Sequence, residues 1–188
     1  MIEWPVVLRT KRLTLRPFEP GDAPDVCRLA GDREIAANTL TVPHPYEQDM
    51  ASEWIEGHAP AAVAGEKVVF ALVHSSGLVG AMGLDLAPEH SRAELGYWIG
   101  RPMWGQGFAS EAARELVRYG FEFLGLNRIE AHHMTRNPAS GRVLENCGMR
   151  KEGVVRQHLK KWDQFEDIVL YGILASDWAH GSSEETST

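Results

Sequence analysis

The chain has 188 residues, with 19 Lys and Arg against 26 Asp and Glu and a formal charge of −7. That length reads as one domain, able to bury roughly 70% of its unfolded surface in a single core. The acidity argues against a protein that works by neutralising nucleic-acid phosphates, and no apolar run approaches the ~20 residues that span a bilayer.

Residues 12–18, RLTLRPF, alternate apolar and polar and predict a first strand. Pro20-Gly21 breaks it, and Asp22 is placed to cap a helix that carries Pro24 in its first turn and runs to about Ala30. A second helix is expected from about Glu47 to His58, with Met50, Ala51, Trp54, Ile55 and His58 on one face. The period then changes to two. Residues 68–73, 78–86 and 92–99 read as strands joined by short links, which predicts an antiparallel meander.

After the Gly105-Gln106-Gly107 turn, Ala109, Ala112, Ala113, Leu116, Val117, Gly120, Phe123 and Leu124 recur with helical spacing as far as Gly125. Residues 128–134, RIEAHHM, form a strand that the helical crossover makes parallel to 92–99. Asn137 caps and Pro138 opens a fourth helix, which ends near Cys147 at Gly148. Strands over about 150–160 and 165–174 close a hairpin around Trp162-Asp163-Gln164. The predicted class is α/β: a mixed sheet with helices on both faces, in the order β-α-α-β-β-β-α-β-α-β-β. One domain is expected over residues 1–178, followed by a small, polar, fraying tail over 179–188.

Two cysteines, Cys27 and Cys147, form neither a disulfide framework nor a metal-ligand spacing, so a reducing, cytoplasmic setting is the default. The first residues, MIEWPVVLRTKRL, are not patterned as a signal peptide. His132 and His133 are adjacent on a strand and face opposite ways, which makes them a poor metal pair. No metal site is expected.

The most informative stretch is AELGYWIGRPMWGQGFASEAA, residues 93–113: a strand, a polar link, a Gly-x-Gly turn and the opening of a helix. Gly105 and Gly107 allow positive φ and close backbone approach to a ligand. The helix start offers uncapped amides and the positive end of its dipole, an arrangement that suits a diphosphate. A loop that merely needs flexible residues is the plain alternative. A dinucleotide-binding βαβ unit is disfavoured, because position 110 is Ser rather than Gly and a meander precedes the motif.

The segments TKRLTLRPF, AELGYWIGRPMWGQGFASEA, NPASGRVLENCGMRKEGVVR and WDQFEDIVLYGIL together resemble the GNAT acyltransferase superfamily, in its RimJ/RimL-like branch of ribosomal-protein N-terminal acetyltransferases. The resemblance spans Thr10 to Trp178. It implies acetyl-CoA as donor and an amine acceptor at a protein N-terminus or on a small molecule; charge and hydropathy point to no direct nucleic-acid or membrane partner, and exposed edges with Trp-rich loops would allow a homodimer. By position it places the diphosphate on the backbone of Gly105, Gln106, Gly107, Phe108, Ala109 and Ser110, with Trp104 where the superfamily usually has Arg or Gln; such a nest needs no lysine. A β-bulge near Gly96 is expected to splay a pair of parallel strands, with the amides near Trp98 and Ile99 polarising the thioester carbonyl.

The resemblance further implies that Asn137 faces the pantetheine arm and that Ser140 protonates the leaving thiolate. Leu144 stands where other members of the superfamily carry a tyrosine acid. Glu94, sharing a strand face with Gly96 and Trp98, is the first candidate for the base that frees the amine. Asp167 matches an acidic position of the branch, and His133 acting through water is a further candidate. Trp162-Asp163 replaces the branch's usual Asn-Gly-type turn at the acceptor rim. Neither cysteine suits a nucleophile, which favours direct transfer in a ternary complex over a covalent acyl-enzyme. A non-catalytic CoA-binding or sensing module is the competing reading.

Overall fold

Five apolar residues in a row, VVFAL at 68–72, are too continuous for a strand with one wet face. The computed structural model, which describes residues 4–184, shows why: these residues sit on a strand covered on both sides. The elements in order are β1 (Leu8–Arg9), β2 (Thr14–Arg16), α1 (Ala23–Ala30), α2 (Arg33–Asn38), α3 (Gln48–Glu56), α4 (His58–Ala64), β3 (Lys67–His74), β4 (Gly77–Ala87) and β5 (Arg92–Ile99). They continue with α5 (Phe108–Glu122), β6 (Arg128–Met134), α6 (Pro138–Asn146), β7 (Arg150–Lys161), β8 (Gln164–Leu174) and α7 (Ala175–Glu184).

The eight strands form one sheet in the order β1-β2-β3-β4-β5-β6-β8-β7. Every neighbouring pair is antiparallel except β5 and β6, which run parallel as the crossover through α5 requires. One face of the sheet packs on α5 and α6, with Phe70, Leu84, Leu116, Ile129 and Leu144 fully buried among them. Burying each such side chain contributes about 1.5–3 kcal/mol. The other face packs on α1, α2 and α3 through Val26, Ile35, Ala51, Ala81 and Trp98. Helix α5 lies close to the sheet at Gly120, where a Cβ would stand 2.7 Å from Ile129 Cδ1.

The predicted order holds, with additions that have local causes. The expected helix from Glu47 to His58 breaks at Gly57, which ends α3 and starts α4. Pro60 explains the break: proline is tolerated in the first turn of α4 but would clash with the carbonyl four residues earlier in one continuous helix. Asp22 does not cap α1 through its side chain. Its carboxylate instead receives both Arg16 guanidinium nitrogens, at 2.7 and 2.8 Å, and the Glu19 amide at 2.8 Å. Phe123, placed on the buried face of α5, is 66% exposed because the helix ends at Glu122. Helix α2 and the two-residue strand β1 are too short to show a period. Helix α7 takes in Ala179–Glu184 of the expected tail; residues 185–188 lie outside the described residues. Among the described residues no helix is long and apolar enough to cross a membrane.

Candidate active site

β5 and β6 pair at Arg92–Arg128, Ala93–Ile129 and Glu94–Glu130, and nowhere beyond. From there β5 stays with β4 as far as Ile99–Gly80, and β6 stays with β8 as far as Met134–Ile168. Each strand keeps its antiparallel ladder, so β5 and β6 diverge and a gap opens in the sheet. The β4–β5 register runs unshifted through Gly96–Gly83, so the expected bulge at Gly96 is absent and divergence alone makes the opening. The Gly100 amide donates to Val79 O at 2.9 Å. Alternation along the ladder then turns the amides of Gly96 and Trp98 toward β4, and those of Leu95, Tyr97 and Ile99 into the gap. The Trp98 amide is therefore not available to a thioester, in correction of the expected pairing of Trp98 with Ile99. The Ile99 carbonyl is taken by the indole N–H of Trp104 at 2.6 Å.

Two cavities flank the gap, of about 610 and about 450 Å³, and both are lined by Tyr97, Trp98 and Ser140. The smaller is bounded by Gly105, Gly107, Phe108, Ala109, Ser110 and Asn137. Gly105 and Gly107 have φ of 74° and 79°, conformations that side chains with a Cβ rarely adopt. Gly107 heads α5 with no side-chain cap, and the first amide bonded back into the helix is Glu111 N to Gly107 O at 3.1 Å. The amides of Phe108, Ala109 and Ser110 thus stand at the cavity as an open anion site. Gln106 takes no part in the lining; its side chain reaches back to Pro102 O at 3.1 Å. Asn137 caps α6 through Oδ1, which accepts from the Ser140 amide at 3.3 Å, and both residues face this cavity. The Ser140 hydroxyl lies 2.7 Å from the Tyr97 phenol. Arg142, exposed on α6, brings a guanidinium to the same wall.

The larger cavity lies toward α1–α3 and carries Glu94. Glu94 Oε1 is 2.8 Å from Nδ1 of His132, which leaves His132 Nε2 as the ring's remaining nitrogen. The His132 hydrogen bond holds the Glu94 carboxyl below its ordinary range, and Glu94 in turn raises the imidazole above 6.5. A depressed carboxylate is a weak base, whereas a carboxylate-held imidazole is well suited to that role. Asp85, Glu53 and Lys67 also face this cavity, Lys67 being paired with Asp85 at 2.8 Å.

The acetyltransferase (GNAT) domain family matches residues 12–150. The chain belongs to the GNAT acetyltransferase family. It is 33% identical over 175 residues to p20, an uncharacterized N-acetyltransferase of Bacillus licheniformis, covering 92% of this chain and 98% of that one. It is 36% identical over 87 residues to the [ribosomal protein uS5]-alanine N-acetyltransferase of Escherichia coli, covering 46% and 45% of the two chains. The structure of a spermidine N-acetyltransferase from Vibrio cholerae in complex with CoA and spermine superposes with a TM-score of 0.77 at 26% identity, over 89% of this chain and 98% of that one. This GNAT chain is an acetyl-CoA-dependent N-acyltransferase. The open amides at the head of α5 fit the coenzyme's diphosphate, and a Cβ at Gly105 would meet nothing within 4 Å, so the loop leaves room for it.

Within this GNAT site the structure brings Glu94 and Ser140 to the gap but leaves Asp167 out. Asp167 Oδ1 accepts from the Gln157 amide at 2.8 Å, pinning the irregular turn of β7 between Val155 and Leu159, and Asp167 lines neither cavity. His133 is buried, its Nδ1 committed to Met134 O at 2.8 Å. Tyr97, His132 and Arg142 are the site residues to which sequence reasoning gave no role here. A signal existed for His132 alone: with 94 opposite 130 in parallel register, residue 132 is the diagonal neighbour of Glu94 on the same face.

Proposed function

We propose that this acetyltransferase moves the acetyl group directly to a cationic primary amine, with both substrates held in one ternary complex. The observation that carries the reading is the gap beyond Glu94 and Glu130, with a cavity on each side and Tyr97, Trp98 and Ser140 shared by both. The donor's diphosphate rests on the amides of residues 107–110, supported by the exposed Arg142. The amides of Tyr97 and Ile99, turned into the gap, receive the charge that develops on the thioester oxygen. His132 Nε2 takes the proton of the amine, with Glu94 holding the ring. The amine nitrogen bonds to the acyl carbon, the carbon–sulfur bond breaks, Ser140 gives its proton to the departing sulfur, and the second proton that the nitrogen sheds as the amide forms restores the serine hydroxyl.

Two further features support direct transfer. Burial pushes the Cys147 thiol up to about 11, and the Cys27 sulfur is engaged with the Tyr46 carbonyl at 3.2 Å, so neither is a ready acyl carrier. An α-amino group with a pKa near ~8 is well matched to an imidazole base. On the acceptor side Glu53, Asp85 and Glu94 outnumber Lys67, which favours a cationic acceptor such as a peptide N-terminus or a polyamine and disfavours an anionic one. The test is a CoA-release assay against N-terminal peptides and small amines, run beside a CoA titration. Turnover with cationic amines is expected. Tight CoA binding with no turnover for any amine would favour the non-catalytic binding module instead.

A further inference from the structure

The loop at the head of α5 carries no cation of its own, since residues 104–110 read WGQGFAS. A cation nevertheless reaches it from the other end of the sheet. Arg12, in the turn between β1 and β2, donates from Nη1 to the Gln106 carbonyl at 2.9 Å. Its Nε donates to Glu111 Oε2 at 2.6 Å and its backbone amide to Glu111 Oε1 at 2.7 Å. Thr10 adds its hydroxyl to Glu111 Oε1 at 2.6 Å. The Arg12 guanidinium also lies over the Phe108 ring, 4.6 Å from its centroid.

Two physical consequences follow. In a trans peptide the carbonyl of one residue and the amide of the next point in opposite directions. Holding the Gln106 carbonyl toward Arg12 therefore aims the Gly107 amide away from Arg12. Second, a carboxylate in the first turn of α5 competes with any anion for the positive helix end. Glu111 is that carboxylate, and its oxygens are occupied by Thr10 and Arg12. Arg12 Nη2 lies 3.4 Å from where a Gly107 Cβ would stand, so the neutralising charge sits beside the loop itself.

We infer that Arg12, braced by Glu111 and Thr10, is a positioning residue for coenzyme binding: it sets the 106–107 peptide for the diphosphate and cancels the carboxylate beside it. The inference rests on the proposed placement of the diphosphate at residues 107–110. Thr10 and Arg12 lie about a hundred residues away in sequence from the group they serve, as the separation of 99 between Arg12 and Glu111 records.

The experiment compares two acetyl donors, acetyl-CoA and S-acetylpantetheine, which lacks the diphosphate. Arg12→Met is expected to lower kcat/KM for acetyl-CoA about ten-fold, the order of a lost charged hydrogen bond, and to leave that for S-acetylpantetheine unchanged. Arg12→Lys keeps the charge but cannot hold Glu111 and the Gln106 carbonyl together, and should show a smaller loss with the same selectivity. Should Arg12→Met not fold, Arg12→Lys decides. Equal losses for both donors, or no loss, would overturn the inference. A wild-type enzyme that uses both donors equally well would instead remove the diphosphate placement beneath it, an outcome visible before any variant is made.

Discussion

The phenol of Tyr97 and the hydroxyl of Ser140 meet at 2.7 Å, bridging β5 and the first turn of α6 at the point where the two cavities join. Burial pushes the Tyr97 phenol up to about 12, so it keeps its proton at any working pH. In the proposed reaction, a phenol donating to Ser140 Oγ leaves the serine proton free for the departing sulfur. Position 144, where a tyrosine acid is usual in the superfamily, holds a fully buried Leu, and here a tyrosine hydroxyl comes from the strand instead.

Tyr97→Phe should therefore lower kcat about ten-fold without changing CoA affinity, the size of one lost hydrogen bond. Ser140→Ala should lower it further, and the double variant should be no worse than Ser140→Ala alone. Steady-state kinetics with a CoA titration checks this; additive losses would separate the two groups.

The Glu94–His132 pair predicts a pH effect of defined sign. The proposed base, His132, works in its neutral form, so kcat/KM is expected to fall as pH drops through the His132 pKa, which Glu94 raises. Glu94→Gln should move that acid limb to lower pH while lowering the plateau at least ten-fold through lost orientation. His132→Gln should remove the limb. A pH–rate profile for the three proteins decides, and an unmoved limb in Glu94→Gln would separate the pair from the chemistry.

Gly96 faces the larger cavity only, opposite Gly83, and a Cβ there would meet nothing within 4 Å. Its φ lies outside the left-handed range, so other residues fit its backbone. Gly96→Phe should fill the acceptor floor and raise KM for amines by an order of magnitude or more, with CoA affinity unchanged. Isothermal titration and acceptor kinetics on one preparation test this directly.

His58 is buried against Trp54 at 4.3 Å and Phe18 at 5.4 Å between ring centroids, and neither ring nitrogen has a hydrogen-bond partner among the described residues. Burial pushes its pKa down from 6.5 to about 4. The unfolded chain therefore binds this proton first: the contribution is complete above pH 6.5 and is lost as pH falls toward 4. The loss is ~3 kcal/mol between those limits. Urea unfolding of His58→Leu and wild type at pH 7 and pH 4.5 should show a shallower decline for the variant.

By itself the sequence determined most of the order of elements, the parallel pairing of β5 with β6 and the loop at Gly105 to Gly107, because period and punctuation are local properties of the chain. The same holds for Asn137 and Ser140, whose cap geometry is written within four residues. Tertiary structure alone decided the rest. Whether an amide faces its ladder or the gap depends on where β6 leaves β5, so Trp98 could not be told from Tyr97 and Ile99 in advance. Asp167 turned to the irregularity of the edge strand β7, His132 joined Glu94, and Arg12 crossed to Glu111, since hydrogen bonds are made between groups that folding brings together, at separations no sequence spacing encodes.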